Sequence, residues 1–486
     1  MSIVAPVKTV TASGDQRLDG ILTESKWSGA VTFGDPASRS AYGTTYPEPL
    51  TDFKKVSAQQ FAVVREALTE VSPSTPGHDG FSVSGFTNLD ISYGGSNSVI
   101  RVADTSDPGT AYTYFPSTET WGGDVFFGGS GRKPVTGNYD YYTTLHELGH
   151  ALGLKHGNET TNFGALPAST DSMEYSVMTY DSYVGSDAKY IYNETWGHAQ
   201  TYMMYDIAAL QYLYGANYST NAGNTTYTWS PTGGDTYVNG ELALNPGANR
   251  IFETIWDGGG KDTYDLSNYS SNLHVDLAPG GYSTFSAAQR AYLGGGPNGG
   301  YARGNVFNAL LHDNDTRSLI ENAIGGKGND YIAGNTANNT LTGGAGADQL
   351  YGRGGKDTLH GGAGADVLVG GTGADVFHFS TVADSPASAP DTIRAGNGAI
   401  AFEGAGAAAG DRIDVSDIDA DPGVKGVQHF VLGTSHAKSH LWLSDVSGNT
   451  VVSGNVSGDT APEFKLVIED GAVHAAAYTA ADFILV

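Results

Sequence analysis

The 486-residue chain contains no cysteine, which excludes a disulfide scaffold and any chemistry that needs a thiol. Basic residues are scarce: 25 lysines and arginines stand against 52 aspartates and glutamates, giving a net charge of −27. This balance argues against nucleic-acid binding, which needs a basic surface. It suits a protein whose carboxylates are partly neutralised by bound cations, although an ordinary soluble acidic surface explains it as well.

Long apolar segments are also missing. No run of eighteen apolar residues occurs, so the sequence predicts no transmembrane helix. The start of the chain, MSIVAPVK, lacks the long apolar core of a secretory signal peptide. These two absences fit a cytoplasmic enzyme and a protein exported by another route equally well. The length allows two or three domains.

One string in the chain carries metal-site chemistry. HELGHALGLKH fits the pattern H-E-x-x-H-x-x-G-x-x-H at every fixed position, which scattered histidines rarely do by chance. On a helix, His146 and His150 share one face, a turn apart. Gly153 lets the chain leave the helix, and the turn brings His156 back as a third ligand. Three neutral imidazoles leave a position open for water, as in catalytic zinc sites, and Glu147 lies beside them as the general base.

A second string, SVMTY, ends at Tyr180, some twenty residues after the zinc motif. Taken alone, Met178 is core filler and Tyr180 is any half-buried tyrosine. In this order after the motif, the pair is similar to the Met-turn of the metzincin zinc endopeptidases. The chain thereby resembles the serralysin family of secreted bacterial metzincins with a calcium-binding C-terminal domain. The string DIAALQYLYGAN, residues 206–217, is similar to the helix that closes their catalytic domain.

The resemblance implies roles for the residues of these two strings. Tyr180 is expected to bind zinc at rest, to swing away when substrate arrives, and to hydrogen-bond the oxyanion. Met178 is expected to lie under the metal as an apolar floor without binding it. The chain departs from the family at Gly157, where serralysins usually have proline, and in a short link to Met178. Both departures concern substrate preference more than metal binding.

Six nonapeptides run in register from Gly325 to His378 with the pattern G-G-x-G-x-D-x-U-x. This is the calcium-binding parallel β-roll repeat, and a flexible glycine-rich linker does not keep such a register. Glycines allow the tight turn, the aspartate supplies a charged oxygen, and the apolar residue at position eight faces the interior. The predicted calcium ligands, with one from a partial match upstream, are Gly325, Asp330, Gly343, Asp348, Asp357, Gly361, Asp366, Asp375 and Asp262.

If two repeats make one turn, alternate repeats stack on the same side. Row one then contains residues 325–330, 343–348 and 361–366, and row two contains residues 334–339, 352–357 and 370–375. Row one keeps every turn glycine. Row two departs from the pattern at Asn335, Ala337, Asn339 and Arg353. We therefore expect stronger calcium sites in row one.

The order of the elements predicts an α+β catalytic domain, and the nonapeptides predict an all-β domain with a parallel β-roll. The resemblance implies that the first domain is metzincin-like and that a β-sandwich closes the second. The expected domains are residues 1–20 as a tail or short propeptide, 21–250 as the catalytic domain, and 251–486 as the calcium-binding domain. Helices are expected near residues 57–71, 141–153 and 204–214. The strand segments 111–115 and 124–127 are candidates for a sheet edge that pairs with substrate, and plain core strands explain either segment equally well. The strings beginning at Asp391 and Asp411 are similar to closing sandwich strands.

The sequence thus predicts a secreted zinc endopeptidase with protein or peptide substrates, one catalytic Zn²⁺ and several structural Ca²⁺ ions, acting as a monomer. The terminal string DFILV is similar to the serralysin export signal, which implies a type I secretion exporter as a partner. A small proteinaceous inhibitor and cell-surface association stay open. There are two alternatives. The first is a non-catalytic calcium-binding adhesion protein, which the intact zinc motif disfavours. The second is a secreted lipase, which is disfavoured because this sequence contains no G-x-S-x-G string.

Overall fold

A computed structural model describes residues 4–69, 71–72, 75–76, 80–187, 190–471 and 473–486, so the first three residues of the expected tail lie outside it. The structure is mostly β with few helices. It divides into two compact units, the first formed by Met1–Thr225, Trp229–Gly260 and Ala287–Ser318, and the second by Thr226–Thr228, Lys261–Ser286 and Leu319–Val486. The longest helix has 13 residues, so no helix in the described part of the chain reaches across a bilayer.

The first unit contains all five α-helices of the described residues and a mixed sheet. Its helices are α1 (Gln16–Asp19), α2 (Ala58–Thr69), α3 (Val83–Phe86), α4 (Tyr139–Ala151) and α5 (Met204–Tyr214). Its strands are β1 (Val7–Thr9), β2 (Ser25–Trp27), β3 (Val31–Gly34), β4 (Lys54–Lys55), β5 (Val71–Ser72), β6 (Thr75–Pro76), β7 (Ile91–Tyr93), β8 (Ile100–Asp104), β9 (Ala111–Thr113), β10 (Val125–Phe127), β12 (Thr236–Val238), β13 (Glu241–Leu244), β14 (Glu253–Ile255) and β18 (Val306–Asn308).

The main sheet of this unit has the order β7-β3-β8-β10-β9, with β4 paired to β8. The pairings from β7 to β10 are parallel, and β9 runs antiparallel to β10. Of the two segments expected to include the edge strand, β9 lies at the edge. β10 lies between β8 and β9, and its three residues are fully buried. The edge strand is therefore Ala111–Thr113.

The three expected helices are confirmed with small shifts of their ends. At α2, Gln60 N–H donates to Ser57 Oγ (3.2 Å) while Ser57 N–H donates to Gln60 Oε1 (2.9 Å), the reciprocal cap that the sequence predicts. Helix α4 begins after Asn138, whose side chain accepts from Tyr141 N–H. Gly153 follows α4 with φ +106°, and Gly215 follows α5 with φ +82°. Glycine adopts such angles without strain, which explains both helix ends.

Residues 4–20, expected to form a tail or propeptide, are folded in the first unit. β1 pairs antiparallel with β2, and the buried Asp19 carboxylate accepts hydrogen bonds from Ser13 and Gly14 main-chain N–H groups. The Gly20 carbonyl accepts from the Lys155 ammonium, and Leu22, just after the segment, forms a bridge with Leu154 inside the zinc motif. This segment therefore braces the turn that carries His156.

The second unit is built from short strands. They are β11 (Thr226–Trp229), β15 (Thr263–Asp265), β16 (His274–Asp276), β17 (Tyr282–Ser283), β19 (Asn322–Ile324), β20 (Tyr331–Ala333), β21 (Thr340–Ala345), β22 (Gln349–Gly354), β23 (Thr358–Ala363), β24 (Val367–Thr372), β25 (Val376–His378), β26 (Asp391–Ile393), β27 (Arg412–Asp414), β28 (Val431–Leu432), β29 (His440–Val446), β30 (Asn449–Asn455), β31 (Phe464–Ile468) and β32 (Phe483–Ile484).

Most of these strands form two parallel sheets that make a β-roll. One sheet contains the order β15-β19-β21-β23-β25-β27-β32, and the other contains β16-β20-β22-β24-β26-β31. Equivalent residues of successive turns are 18 positions apart, so two nonapeptides make one turn, as expected. The position-eight residues are fully buried inside the roll, as predicted: Ile332, Leu341, Leu350, Leu359, Leu368 and Phe377.

The strings at Asp391 and Asp411 differ from the sequence expectation. β26 pairs parallel with β24, and β27 pairs parallel with β25. Both strands therefore continue the two sheets of the roll beyond the last nonapeptide. An antiparallel ribbon, β29-β30-β31, then follows on the sheet that contains β26.

Candidate functional site

Three histidine side chains converge in the first unit. His146 and His150 lie one turn apart on α4, and the turn at Gly153 returns the chain so that His156 faces them. His150 Nε2 lies 3.1 Å from His146 Nε2 and 3.0 Å from His156 Nε2. Among the described residues, these three form the one group of histidines and carboxylates compact enough to hold a metal ion. The sequence-predicted ligand set is thus brought together.

The other ring nitrogens fix the tautomers of these histidines. His146 Nδ1 donates to the Val177 carbonyl and His150 Nδ1 to the Leu154 carbonyl, each at 2.8 Å. His156 Nδ1 donates to Glu159 Oε1 at 2.6 Å. Because these oxygens accept the Nδ1 protons, the three Nε2 atoms present lone pairs to one point. Such lone pairs repel one another unless a cation lies between them.

Electrostatics favour the neutral form of each ring. Burial, with a contribution from His156, lowers the pKa of His146 to about 3. Burial also lowers the pKa of His150 well below its usual value and lowers that of His156, where Glu159 opposes the shift. Neutral imidazoles with Nε2 directed at one point are the donor set of zinc, which binds nitrogen at about 2.0–2.1 Å in tetrahedral sites. The residues therefore fit a zinc ion.

Glu147 lies beside the histidines with its carboxylate held by one neighbour. Thr113, the last residue of β9, donates its hydroxyl to Glu147 Oε2 at 2.7 Å. Burial raises the pKa of Glu147 to about 7, and the Thr113 hydrogen bond opposes that shift. A carboxyl group in this range can accept a proton and release it again near neutral pH. The sequence motif predicted Glu147, but nothing in it pointed to Thr113.

Met178 lies under α4, and Tyr180 lies beside His156. Met178 is fully buried under α4, where a Cβ added to Gly149 would meet its Sδ at 2.5 Å, so only glycine permits this contact. The Tyr180 hydroxyl lies 2.8 Å from His156 Nε2, and its ring packs on the ring of His156 with centroids 4.5 Å apart. Burial raises the pKa of Tyr180 to about 12, so the hydroxyl stays protonated at neutral pH.

Asp206 connects α5 to the Met-turn, and sequence reasoning missed this role. Its Oδ2 accepts from the main-chain N–H groups of Val177 (2.7 Å) and Met203 (2.9 Å), and its Oδ1 pairs with the Ser176 hydroxyl (2.6 Å). Val177 in turn accepts from His146 Nδ1. The fully buried Asp206 therefore fixes the backbone that orients one of the histidines.

The Gly157 departure has a structural explanation. Gly157 N–H donates to the Met178 carbonyl at 3.0 Å, a bond that proline cannot make. The neighbouring Lys155 is fully buried, and its ammonium donates to the carbonyls of Gly20, Glu159 and Gly164. These bonds tie the turn after His156 to the Met-turn and to the N-terminal segment.

A cleft of about 200 Å³ opens over the three histidines. The edge strand β9 forms one wall, and Glu147 and Tyr180 face the same space. The cleft is lined by Thr110, Ala111, Tyr112, Thr113, Phe115, Ser130, Tyr139, Tyr142, Thr143, His146, Glu147, His150, His156, Tyr180 and Ile191. An edge strand beside a metal-binding group can align an extended chain by main-chain hydrogen bonds.

In the second unit, the predicted calcium residues form two rows of buried carboxylates. In row one, the N–H of Asp330 donates to Asp348 Oδ1 (2.7 Å), and that of Asp348 donates to Asp366 Oδ1 (2.8 Å). In row two, the N–H of Asp357 donates to Asp375 Oδ1 (2.9 Å). A Cβ at Gly343 would lie 2.4 Å from Asp348 Oδ2 and 2.5 Å from the Gly361 carbonyl oxygen, so glycine is needed where these oxygens converge.

Two further aspartates extend these rows. Asp366 N–H donates to Asp391 Oδ1 and Asp375 N–H donates to Asp411 Oδ1, each at 2.9 Å. The sequence spacing hid them, because they lie 25 and 36 residues after their neighbours, where the repeat period is 18. Asp262 is also buried in this unit, with its N–H donating to Glu321 Oε2 at 2.8 Å.

One oxygen of several row aspartates is buried without a hydrogen-bond partner in the described structure: Oδ2 of Asp348, Asp357, Asp366, Asp375 and Asp391. A buried unpaired carboxylate oxygen is unfavourable unless a cation binds it. Burial accordingly raises the pKa of Asp366 to about 6, of Asp348 and Asp357 to about 7, and of Asp391 to about 8. Carboxylate and carbonyl oxygens together fit Ca²⁺.

Comparison with known proteins gives one family. Residues 216–485 match the family model described as Peptidase M10 serralysin C terminal. Serralysin of Proteus mirabilis is 31% identical over 356 residues, which cover 65% of this chain and 63% of that protein. Serralysin B of Dickeya chrysanthemi is 36% identical over 336 residues, covering 63% of this chain and 60% of that protein. The chain thus spans less than two thirds of the length of the relatives it matches.

One solved structure aligns with part of this chain. The AlgE6R2 subunit of the Azotobacter vinelandii mannuronan C5-epimerase covers 33% of this chain and 91% of its own, at 28% identity and a TM-score of 0.25. A score of this size carries no structural argument.

Proposed function

Because the chain belongs to the serralysin family, we propose that it is a secreted, calcium-stabilised zinc endopeptidase that hydrolyses peptide bonds in proteins. The observation that carries this proposal is the convergence of three histidine side chains beside Glu147 in an open cleft. The central Nε2 atom, that of the second histidine, lies 3.1 Å and 3.0 Å from the Nε2 atoms of the other two. The metzincin-like assignment of the first unit rests on the same motif together with the Met-turn. The expected boundaries, 21–250 for the catalytic domain and 251–486 for the calcium-binding domain, stay part of the proposal.

The residues of the cleft divide the work of hydrolysis among them. His146, His150 and His156 would hold a zinc ion, which when bound would supply Lewis-acid chemistry for the scissile carbonyl and lower the pKa of a water molecule. Glu147 takes the proton of the attacking water on its carboxylate and passes it to the nitrogen of the leaving amine. The Thr113 hydroxyl keeps that carboxylate in one orientation.

Substrate is expected to bind as an extended strand along β9. This strand is the edge of its sheet, lines the cleft, and ends at Thr113 beside Glu147. Main-chain pairing along Ala111 and Tyr112 places the scissile bond over the histidines with little dependence on the substrate's side chains. Protein or peptide substrates therefore fit the cleft.

Tyr180 would be a further ligand of a bound zinc ion, and we propose that its hydroxyl donates to the oxyanion during hydrolysis. Tyr180→Phe is expected to lower kcat by about 100-fold, with KM and zinc content close to wild type, because only the transition state loses a donor. Steady-state hydrolysis of a fluorogenic peptide and metal analysis of the purified protein measure this. Tyr93→Phe, at the opposite edge of the sheet, is the control and should leave kcat unchanged. Equal kcat for Tyr180→Phe and wild type would remove Tyr180 from the reaction.

Calcium and export form the second part of the proposal. The unpaired carboxylate oxygens of the two rows support several structural Ca²⁺ ions. Extracellular modules bind calcium with dissociation constants of about 10⁻⁴–10⁻³ M, so the second unit folds fully only outside the cell. A chain kept unfolded in a low-calcium cytoplasm suits a type I exporter, which we propose as a partner. A small proteinaceous inhibitor remains a further proposed partner of the cleft.

The overall proposal is tested by casein hydrolysis with the purified protein in calcium-containing buffer. We expect hydrolysis that o-phenanthroline abolishes and added zinc restores. An inhibitor of serine hydrolases should have no effect, since the three-histidine site carries the chemistry. A zinc-loaded, folded protein without activity on casein or gelatin would instead indicate a calcium-binding protein with an inactive protease domain.

A further inference from the structure

We propose that, in the first loop of row two, the side chains of Asn335, Asn339 and Arg353 take the place of a calcium ion. This inference rests on the proposed calcium binding of the other loops, and it assigns no calcium ion to the loop at 334–339. The lower calcium affinity expected for the whole of row two is thereby confined to its first loop. The loops at 352–357 and 370–375 keep a buried, unpaired oxygen on Asp357 and Asp375.

Arg353 adopts a backbone conformation that belongs to glycine. Its φ is +76°, and glycines at the matching repeat position, Gly344, Gly362 and Gly371, have φ of +108°, +91° and +99°. Side chains are rarely accommodated at such angles. Arg353 therefore has a strained backbone, and the hydrogen bonds of its guanidinium group offset that strain.

The Arg353 guanidinium joins three successive levels of the roll. Its Nη1 and Nη2 donate to Asp276 Oδ1 (2.7 Å) and Oδ2 (3.0 Å) as a bidentate pair. Nη1 also donates to the Gly334 carbonyl at 2.8 Å. Gly334 is the first residue of the first loop of row two. The glycines at the matching position of row one, Gly325, Gly343 and Gly361, are proposed calcium ligands. A positively charged donor thus satisfies an oxygen that a cation satisfies in the other loops.

Two amide side chains of the loop donate to main-chain oxygens of the turn that precedes it. Asn335 Nδ2 donates to the carbonyls of Leu277 (3.1 Å) and Ile320 (2.7 Å). Asn339, at the aspartate position, donates from Nδ2 to the Glu321 carbonyl (2.7 Å) and accepts Asn335 N–H on Oδ1 (2.8 Å). Both side chains are buried. Asparagine supplies the N–H donors that aspartate lacks, so the loop closes without an ion.

The charge balance agrees with this assignment. Asn339 is neutral, and the charge of Arg353 is cancelled by Asp276, so the loop carries no net negative charge. The loops that contain Asp357 and Asp375 differ from it. In the described structure, Oδ2 of each of these aspartates is buried without a hydrogen-bond partner. The first loop of row two therefore forms a metal-independent end of the row, onto which the calcium-dependent turns can fold.

Restoring the repeat residues at the three positions of the inference tests it on the full-length protein. The triple variant Asn335→Gly, Asn339→Asp and Arg353→Gly is expected to bind one more calcium ion per chain than wild type in equilibrium dialysis with calcium alone. Asn338→Asp adds the same charge one residue away from the ligand position and should bind the wild-type number. Calcium binding by wild type with no increase in the triple variant overturns the inference and leaves the proposed function intact. Absence of calcium binding in wild type overturns the proposed function itself.

A second measurement decides the matter if the triple variant does not fold. Wild-type protein titrated with a calcium chelator is followed by hydrogen exchange. Amides of residues 331–342 are expected to keep protection at chelator levels that expose residues 352–378. Loss of protection in both segments at the same free calcium overturns the inference, because the first loop would then depend on the ion like the others.

Discussion

Glu147→Gln is expected to reduce kcat on a peptide substrate by about 1,000-fold, with zinc still bound. Glutamine keeps the shape of glutamate and can accept the Thr113 hydroxyl hydrogen bond that holds Oε2 at 2.7 Å. It cannot take a proton from water or return one to the leaving amine. The three histidines proposed to bind zinc are unchanged, so zinc content should stay at the wild-type level. Loss of activity with full zinc content separates proton transfer from metal binding.

The measurement is a single-turnover and steady-state assay on one fluorogenic peptide, with zinc determined on the same samples. Glu119→Gln is the matched control, because this exposed carboxylate lies outside the cleft and undergoes the same chemical change. It should retain wild-type kcat. A Glu147→Gln enzyme within tenfold of wild type would contradict the assignment of Glu147 as general base, and a zinc-free one would show that the substitution acts through the metal site.

The convergence of the three histidines was predictable because their spacing obeys local geometry. Residues four apart on a helix share a face, and Gly153 at φ +106° makes the turn that returns His156. Position eight of each nonapeptide was likewise predictable, since a period of two repeats per turn leaves one face inside. These inferences needed only residues that are close in sequence.

The parts that sequence reasoning missed depend on distant segments. Thr113 meets Glu147 across 34 residues, and Asp206 reaches Val177 across 29. No local period announces such pairs, because they form when β9 and α5 pack around α4. Asp391 and Asp411 continue the carboxylate rows after irregular insertions, which removed the register that identified the other aspartates.

Removing calcium is expected to unfold the roll at pH 8 and to do so much less at pH 5. The cause lies in the buried row carboxylates, whose pKa values reach about 6 at Asp366 and about 8 at Asp391. An aspartate in an unfolded chain has a pKa of about 3.9. Without the ion, the folded roll therefore holds more protons than the unfolded chain from about pH 3.9, the pKa of an unfolded aspartate, to about pH 8, the pKa of Asp391. Its free energy of unfolding falls as the pH rises through that window.

With calcium present the order reverses, because protons and calcium compete for the same oxygens. Lowering the pH from 8 to 5 then releases ions and lowers the free energy of unfolding of the roll. Peptide-resolved hydrogen exchange of the full-length protein measures both cases, comparing β21–β24 with α4 in the other unit. Protection of β21–β24 should rise with acid in chelator and fall with acid in calcium.

Asp366→Asn sharpens this test, because it removes one buried charge without changing the shape of the side chain. In chelator at pH 8 the variant should protect β21–β24 better than wild type, and in calcium it should protect them less. Asp90→Asn is the control, since that side chain is exposed and lies in the first unit, away from the roll. If both variants matched wild type in chelator, repulsion among row carboxylates would not be what unfolds the metal-free roll. The opposite responses expected for Asp366→Asn follow from one feature, a buried oxygen that repels its neighbours without calcium and binds the ion with it.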